Sequence, residues 1–123
     1  MRCLHFQEKK PQGKLVRVVR GSVFDVSVDI RPESSTFGQW ISVELTEENK
    51  KQIWIPPGFA HGFVVLSEIA DFEYKCTNFY DPSDEGVIHW KDSHLAIDWP
   101  EDIEIKISEK DNAAPAFKSI FNL

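Results

Sequence analysis

The four histidines of this 123-residue chain, His5, His61, His89 and His94, are the side chains that change charge near neutral pH, which suits them to proton transfer or metal ligation. A metal needs three or four ligands converging on one ion, which a β scaffold commonly supplies with a closely spaced His-x-His pair. The chain has no such pair. His89 and His94 are separated by Trp90 and Lys91-Asp92-Ser93, the pattern of a strand end and turn, so both are read as solvent-facing and no metal site is expected. His5 lies between Leu4 and Phe6 and, on a strand, points away from two core residues. It is either a base for proton transfer or an ordinary hydrogen-bonded strand histidine. His61 follows the rigid turn Pro56-Pro57-Gly58 and sits between Phe59 and Phe63, either in a ligand pocket or simply between two strands.

Three further side chains invite the same question. Lys14 opens a β-rich run directly after Gly13. Tyr74 shares a period-two face with Phe72 and Cys76 and so points to the interior, where a phenol needs a hydrogen-bond partner or a cavity. Asp111 follows Ser108-Glu109-Lys110, and its plain alternative is a solvated turn acid. Cys3 and Cys76 are too few and too far apart for a disulfide framework or a thiolate zinc site; both are read as reduced thiols, the second one buried.

The elements that must position these residues read as strands. From Ser22 to Ile30, Phe24, Val26, Val28 and Ile30 fall on one face and Asp25, Ser27 and Asp29 on the other, the pattern of a strand with one buried face. Gln39 to Leu45 and Phe72 to Thr77 alternate in the same way. Leu4 to Phe6, Leu15 to Arg20, Gln52 to Ile55, Gly62 to Leu66 and Val87 to Trp90 are further β-rich runs, separated by turns such as Arg31-Pro32-Glu33-Ser34 and Asp81-Pro82-Ser83-Asp84. Thr46 to Lys50 predicts a single helical turn, and the tail from Ser108 a short helix. Many short strands without long helical segments between them predict an all-β fold, a jelly-roll β-sandwich, with residues 1–123 forming one domain.

A composition of 41% hydrophobic residues supports one buried core. The formal charge of −6 argues against nucleic-acid binding, so an anionic ligand has to meet a local cluster of bases. The start MRCLHFQEKK lacks the apolar run of a secretion signal, and no segment reaches the ~20 apolar residues of a membrane helix, so the expectation is a cytoplasmic protein without membrane attachment.

Eight motifs, in order, resemble the dTDP-4-dehydrorhamnose 3,5-epimerase family. They are R-x-L-H-F-Q at Arg2 to Gln7, G-K-L-V-R-V at Gly13 to Val18, V-F-D-V-S-V-D-I-R at Val23 to Arg31 and T-F-G-Q-W at Thr36 to Trp40. The others are W-I-P-P-G-F-A-H-G-F at Trp54 to Phe63, Y-K-C-T-N-F-Y at Tyr74 to Tyr80, S-D-E-G at Ser83 to Gly86 and S-E-K-D-N-A-A-P at Ser108 to Pro115. The resemblance implies a metal-free cupin with no cofactor, commonly a homodimer, that inverts C3 and C5 of dTDP-4-dehydro-6-deoxy-glucose in dTDP-rhamnose biosynthesis. Each inversion removes a proton beside the C4 ketone and returns one to the opposite face; the ketone itself acidifies those protons.

By that resemblance His5 is the base, Asp111 the carboxylate that orients it, Lys14 the cation beside the enolate oxygen and Tyr74 the acid on the far face. Arg2 and Lys110 are implied as phosphate or nucleotide contacts, His61 as a sugar-pocket contact, Glu85 as a nucleoside contact and Tyr80 as the ring stacked on thymine. The chain departs from the family pattern in lacking the strands that precede Arg-x-Leu-His in relatives and contribute to nucleotide binding. It also carries Cys3 in place of a common glycine, where a side chain is expected to disturb a close backbone approach, and Phe79 in place of a tyrosine. The alternative functions are a sugar-nucleotide-binding or interaction module without catalysis, and a relative with altered chemistry, such as epimerisation at C3 alone.

Overall fold

The computed structural model describes residues 1–123. Eight strands carry the chain: β1 Arg2–Gln7, β2 Lys14–Arg20, β3 Ser22–Asp29, β4 Trp40–Thr46, β5 Gln52–Ile55, β6 Phe59–Val65, β7 Asp71–Cys76 and β8 Glu85–Ile88. Two short helices follow, α1 Glu109–Asn112 and α2 Phe117–Phe121. The strands form a five-stranded sheet in the order β4-β3-β6-β1-β8 and a three-stranded sheet in the order β5-β2-β7, antiparallel throughout. The all-β sandwich expected from the period-two patterns is therefore the architecture found, with the helical content confined to the tail. No helix is long and apolar enough to cross a membrane.

The five-stranded sheet is covered on both faces. Between the sheets Val16 and Val18 of β2 meet Val23, Leu45 and Ile55. On the opposite face Leu4, Val26, Val28, Ala60, Val64 and Ile88 pack beneath the C-terminal segment, which contributes Leu95, Trp99 and Phe117. This double coverage overturns the reading of β3 as a strand with one wet face: Asp25, Ser27 and Asp29 are all buried. Each carboxylate is partnered instead. Asp29 accepts from Arg31 Nε and Nη2 at 3.0 Å each and from the hydroxyls of Ser34 and Thr36.

Two smaller expectations fare differently. Thr46 to Lys50 forms one turn, closed by the Lys50 N–H donating to the Thr46 carbonyl at 3.1 Å and capped by Thr46 and Asn49, whose side chains accept from each other's backbone N–H groups at 2.8 and 3.1 Å. Cys76, expected to be buried, is exposed, whereas Cys3 is fully buried. Cys76 and Tyr74 do lie on the inner face of β7, opposite Lys14 and Val16. But β7 is an outer strand of the smaller sheet and that face looks over an open cleft, so Tyr74 is 54% exposed.

Phe117 anchors the tail. Its ring is fully buried against Phe37, Phe121 and His94, and its backbone N–H donates to the buried Asp92 carboxylate at 2.8 Å. Truncating a buried phenylalanine removes its transfer free energy and leaves a cavity, so Phe117→Ala is expected to lower unfolding stability by about 3–5 kcal/mol. A urea titration showing a loss below about 1 kcal/mol would mean the tail is not integral to the fold.

Candidate active site

A cleft of about 280 Å³ opens between the inner faces of the two sheets. Its five-stranded wall carries Arg2, His5, Gln7 and Glu85; its three-stranded wall carries Lys14, Tyr74 and Cys76, and Tyr80 sits at the rim beyond β7.

An irregularity in β1 places the first of these. Between Arg2 and His5 the strand advances three residues while its partner β6 advances two, from Phe63 to His61. One extra residue makes a β-bulge, so Arg2 and His5 turn to the same face although three apart in sequence. β6 permits this because the residue opposite is Gly62: a Cβ there would stand 2.7 Å from the Arg2 carbonyl oxygen and 3.0 Å from that of Cys3. The close approach is thus taken up by Gly62, and Cys3 is accommodated. Its thiol donates to the Asp111 carbonyl at 3.5 Å, and burial pushes its pKa up to about 11.

Asp111 is buried, not a solvated turn acid. Ser108 caps α1 by accepting from the Asp111 N–H at 3.2 Å, which fixes the aspartate in the first turn with its carboxylate against β1. One carboxylate oxygen accepts from the Cys3 N–H at 2.9 Å; the other lies 3.1 Å from His5 Nε2. With the carboxylate ionised, Nε2 carries the ring proton and donates it to Asp111, which leaves the lone pair on Nδ1. Nδ1 is buried without a hydrogen-bond partner. Glu85 Oε1 approaches it to 3.3 Å but out of hydrogen-bonding line, so this approach is an ion pair only once His5 is protonated.

The electrostatics keep His5 neutral. Burial pushes its pKa below the ordinary 6.5, the nearby Arg2 charge adds to that, and Asp111 and Glu85 oppose both. Burial likewise lowers Lys14 from the ordinary 10.5, against the support of Cys76, Asp25 and Glu85. Glu85 is depressed instead: desolvation raises it, but Lys110, 3.0 Å away, and His5 outweigh that.

Of the nine residues singled out in the sequence, the structure therefore gathers His5, Lys14, Tyr74, Arg2, Tyr80 and Glu85 along one cleft, with Asp111 behind His5 and Lys110 on Glu85. His61 is buried outside the cleft lining and paired at 2.6 Å with Asp25. Sequence reading missed Asp25, whose second oxygen has no partner and whose charge reaches Lys14. The available signal was a strand with carboxylates at alternate positions and a histidine elsewhere without an assigned partner. Gln7 was missed as well. No three His, Cys, Asp or Glu side chains cluster as a set of metal ligands.

The sequence profile of dTDP-4-dehydrorhamnose 3,5-epimerases matches residues 1–119. The chain belongs to this family. It is 60% identical over 116 residues to the dTDP-4-dehydrorhamnose 3,5-epimerase of Salmonella typhimurium, covering 94% of this chain and 63% of that protein. Against the enzyme of the same name from Pseudomonas aeruginosa the identity is 56% over 117 residues, covering 95% and 65%. The crystal structure of dTDP-6-deoxy-D-glucose-3,5-epimerase from Legionella pneumophila, in complex with dTDP-4-keto-L-rhamnose, superposes with a TM-score of 0.91 at 58% identity, covering 94% of this chain and 61% of that one. The chain thus spans a little over three fifths of the length of these family members.

The charges around His5 act in opposite directions and can be separated. Asp111→Asn removes the carboxylate that supports the imidazolium, so the His5 pKa is expected to fall further; Arg2→Ala removes an opposing cation, so it should rise. NMR titration of the His5 ring protons reads both. Shifts of the same sign in the two variants would refute the assignment of these charges.

Proposed function

We propose that this chain is an isomerase, a 3,5-epimerase of dTDP-linked 4-keto-6-deoxy sugars with dTDP-4-dehydro-6-deoxy-glucose as substrate, acting in dTDP-rhamnose biosynthesis. The reading includes residues 1–123 as one functional unit, working in the cytoplasm as a homodimer. The observation that carries it is the buried His5–Asp111 pair, whose imidazole keeps Nδ1 unpartnered and lines a cleft with an ammonium and a phenol on the opposite wall. A module that only bound sugar nucleotides would have no use for a desolvated neutral base.

The geometry supports the following chemistry. His5 Nδ1 takes the proton from the carbon beside the C4 ketone, and the electron pair moves into the carbonyl to form an enolate. Asp111 stabilises the imidazolium through Nε2–H, and Glu85 lies close enough to share the new Nδ1–H charge. Lys14 supplies positive charge to the enolate oxygen. Tyr74, on the opposite sheet, returns a proton from its hydroxyl to the other face of the carbon, the enolate collapses to the ketone, and the configuration is inverted. His5 and Tyr74 then recover their protonation states through solvent. The same sequence serves C5 and C3. Arg2 and Lys110 offer cations for the pyrophosphate, and Tyr80 a ring for the base.

Proton NMR of the keto sugar in heavy water tests this directly. Loss of both the C3 and C5 signals is expected with the unsubstituted chain, slowed roughly 10²–10⁴-fold in His5→Ala. Tyr74→Phe should still exchange these protons, because His5 is intact, but yield little inverted product. Retention of both signals with the unsubstituted chain would remove the epimerase reading; loss of the C3 signal alone would reassign it to a C3 epimerase.

The pH profile has a stated sign. Activity needs neutral His5 and charged Lys14, so it rises with pH through the His5 pKa and falls through that of Lys14. Burial lowers both groups, so the acid limb is expected below 6.5 and the alkaline limb below 10.5. An acid limb above 7 in kcat/KM would contradict the neutral, desolvated base.

A further inference from the structure

Gln7 is the one polar side chain on the His5 wall with no part in either the proton transfers or the nucleotide contacts described above. It lies two residues beyond His5 on β1, directly opposite Glu85 of β8, and is almost fully buried. A buried primary amide is costly unless its donors and acceptor are matched. Here each finds backbone. Nε2 donates to the carbonyl of Phe79 at 3.1 Å and to that of Lys10 at 2.8 Å, and Oε1 accepts from the N–H of Asp81 at 2.8 Å.

Two of these partners bracket Tyr80: the carbonyl of the residue before it and the N–H of the residue after it. No side chain of Tyr80 itself is involved. The remaining bond reaches the 8–12 loop, which is tied to the same rim by Asp84, whose carboxylate accepts from the Lys9 and Lys10 N–H groups at 2.8 to 3.0 Å. Lys10 Nζ reaches back to Asp81 at 3.0 Å. The Phe79 ring, whose carbonyl is drawn inward, is left 89% exposed. A loop so exposed at its side chains is therefore pinned at its backbone by a group rooted in the same strand as the base.

We infer that Gln7 is a positioning residue for nucleotide recognition: it holds the peptide groups on either side of Tyr80 so that the ring is oriented before the nucleobase arrives. This rests on the reading of Tyr80 as the ring that stacks on the base. Holding it in advance removes an ordering cost from binding, so the effect belongs to affinity rather than to the proton-transfer steps.

Calorimetric titration with dTDP, together with steady-state kinetics on the keto sugar, tests the inference in four chains: unsubstituted, Gln7→Met, Tyr80→Ala and the double variant. Gln7→Met keeps the volume and strips all three hydrogen bonds. It is expected to weaken dTDP binding and raise KM about tenfold, with kcat within about threefold. If Gln7 acts through Tyr80, the double variant binds no more weakly than Tyr80→Ala alone.

Unchanged affinity in Gln7→Met, additive losses in the double variant, or a fall in kcat at unchanged KM would each overturn the inference. If Tyr80→Ala binds dTDP as well as the unsubstituted chain, or the unsubstituted chain does not bind it, the base-stacking reading fails and takes this inference with it, an outcome visible in those arms alone. Should Gln7→Met not fold, Gln7→Glu carries the comparison, because it keeps the acceptor for Asp81 and removes both donors. A loss of about threefold or more there supports the inference and none overturns it.

Discussion

The Asp111 carboxylate joins two things that would otherwise be independent, the packing of the C-terminal segment and the protonation of a histidine on the first strand. One oxygen takes the Cys3 N–H that the bulge withdraws from the β-ladder; the other takes the ring proton of His5. A buried carboxylate is tolerable only with such partners, and a buried imidazole with one nitrogen engaged has a defined tautomer. Ser108 capping α1, Gly62 admitting the bulge and Phe117 holding the tail all serve that contact. Burial then does the rest, by keeping the imidazole neutral.

The opposite wall is organised by a different balance. Lys14 is drawn between the sheets at a cost in hydration, opposed by Cys76 beside it on β7 and by Asp25 and Glu85 on the facing sheet. Asp25 in turn shares its other oxygen with His61. In a chain of net charge −6, the cations that border the cleft, Arg2, Lys14 and Lys110, are a local exception. This is the arrangement that an acidic protein needs to receive an anionic ligand.

The strands were legible because alternation and β-rich composition between turns are local properties: all eight elements lie where the three alternating segments and five β-rich runs predict them, within a few residues at their ends. What lay beyond reach depended on neighbours distant in sequence. The carboxylates of β3 look solvated until the tail is known to cover the apolar face of the strand, which leaves the carboxylate face turned toward the smaller sheet. Tyr74 looks buried until β7 is known to be an outer strand over an open cleft, and Cys76 is exposed for the same reason. The bulge at Cys3 leaves no trace in the alternation of so short a strand. The family motifs brought His5 and Asp111 together on paper although 106 residues separate them; residue patterning alone did not.

The division of the cleft between two sheets has a geometric consequence. Sheets packed face to face lie about 10 Å apart, a spacing set by backbone and side-chain bulk and not by any catalytic residue. A six-membered sugar ring lying between them would present one face to the histidine sheet and the other to the tyrosine sheet. The sandwich is then a ruler and a compass for the proposed reaction: its thickness suits a single ring, and its two-sidedness would place the departing and arriving protons on opposite faces. In such an architecture inversion is the natural stereochemical outcome, and retention would require one wall to do the work of both.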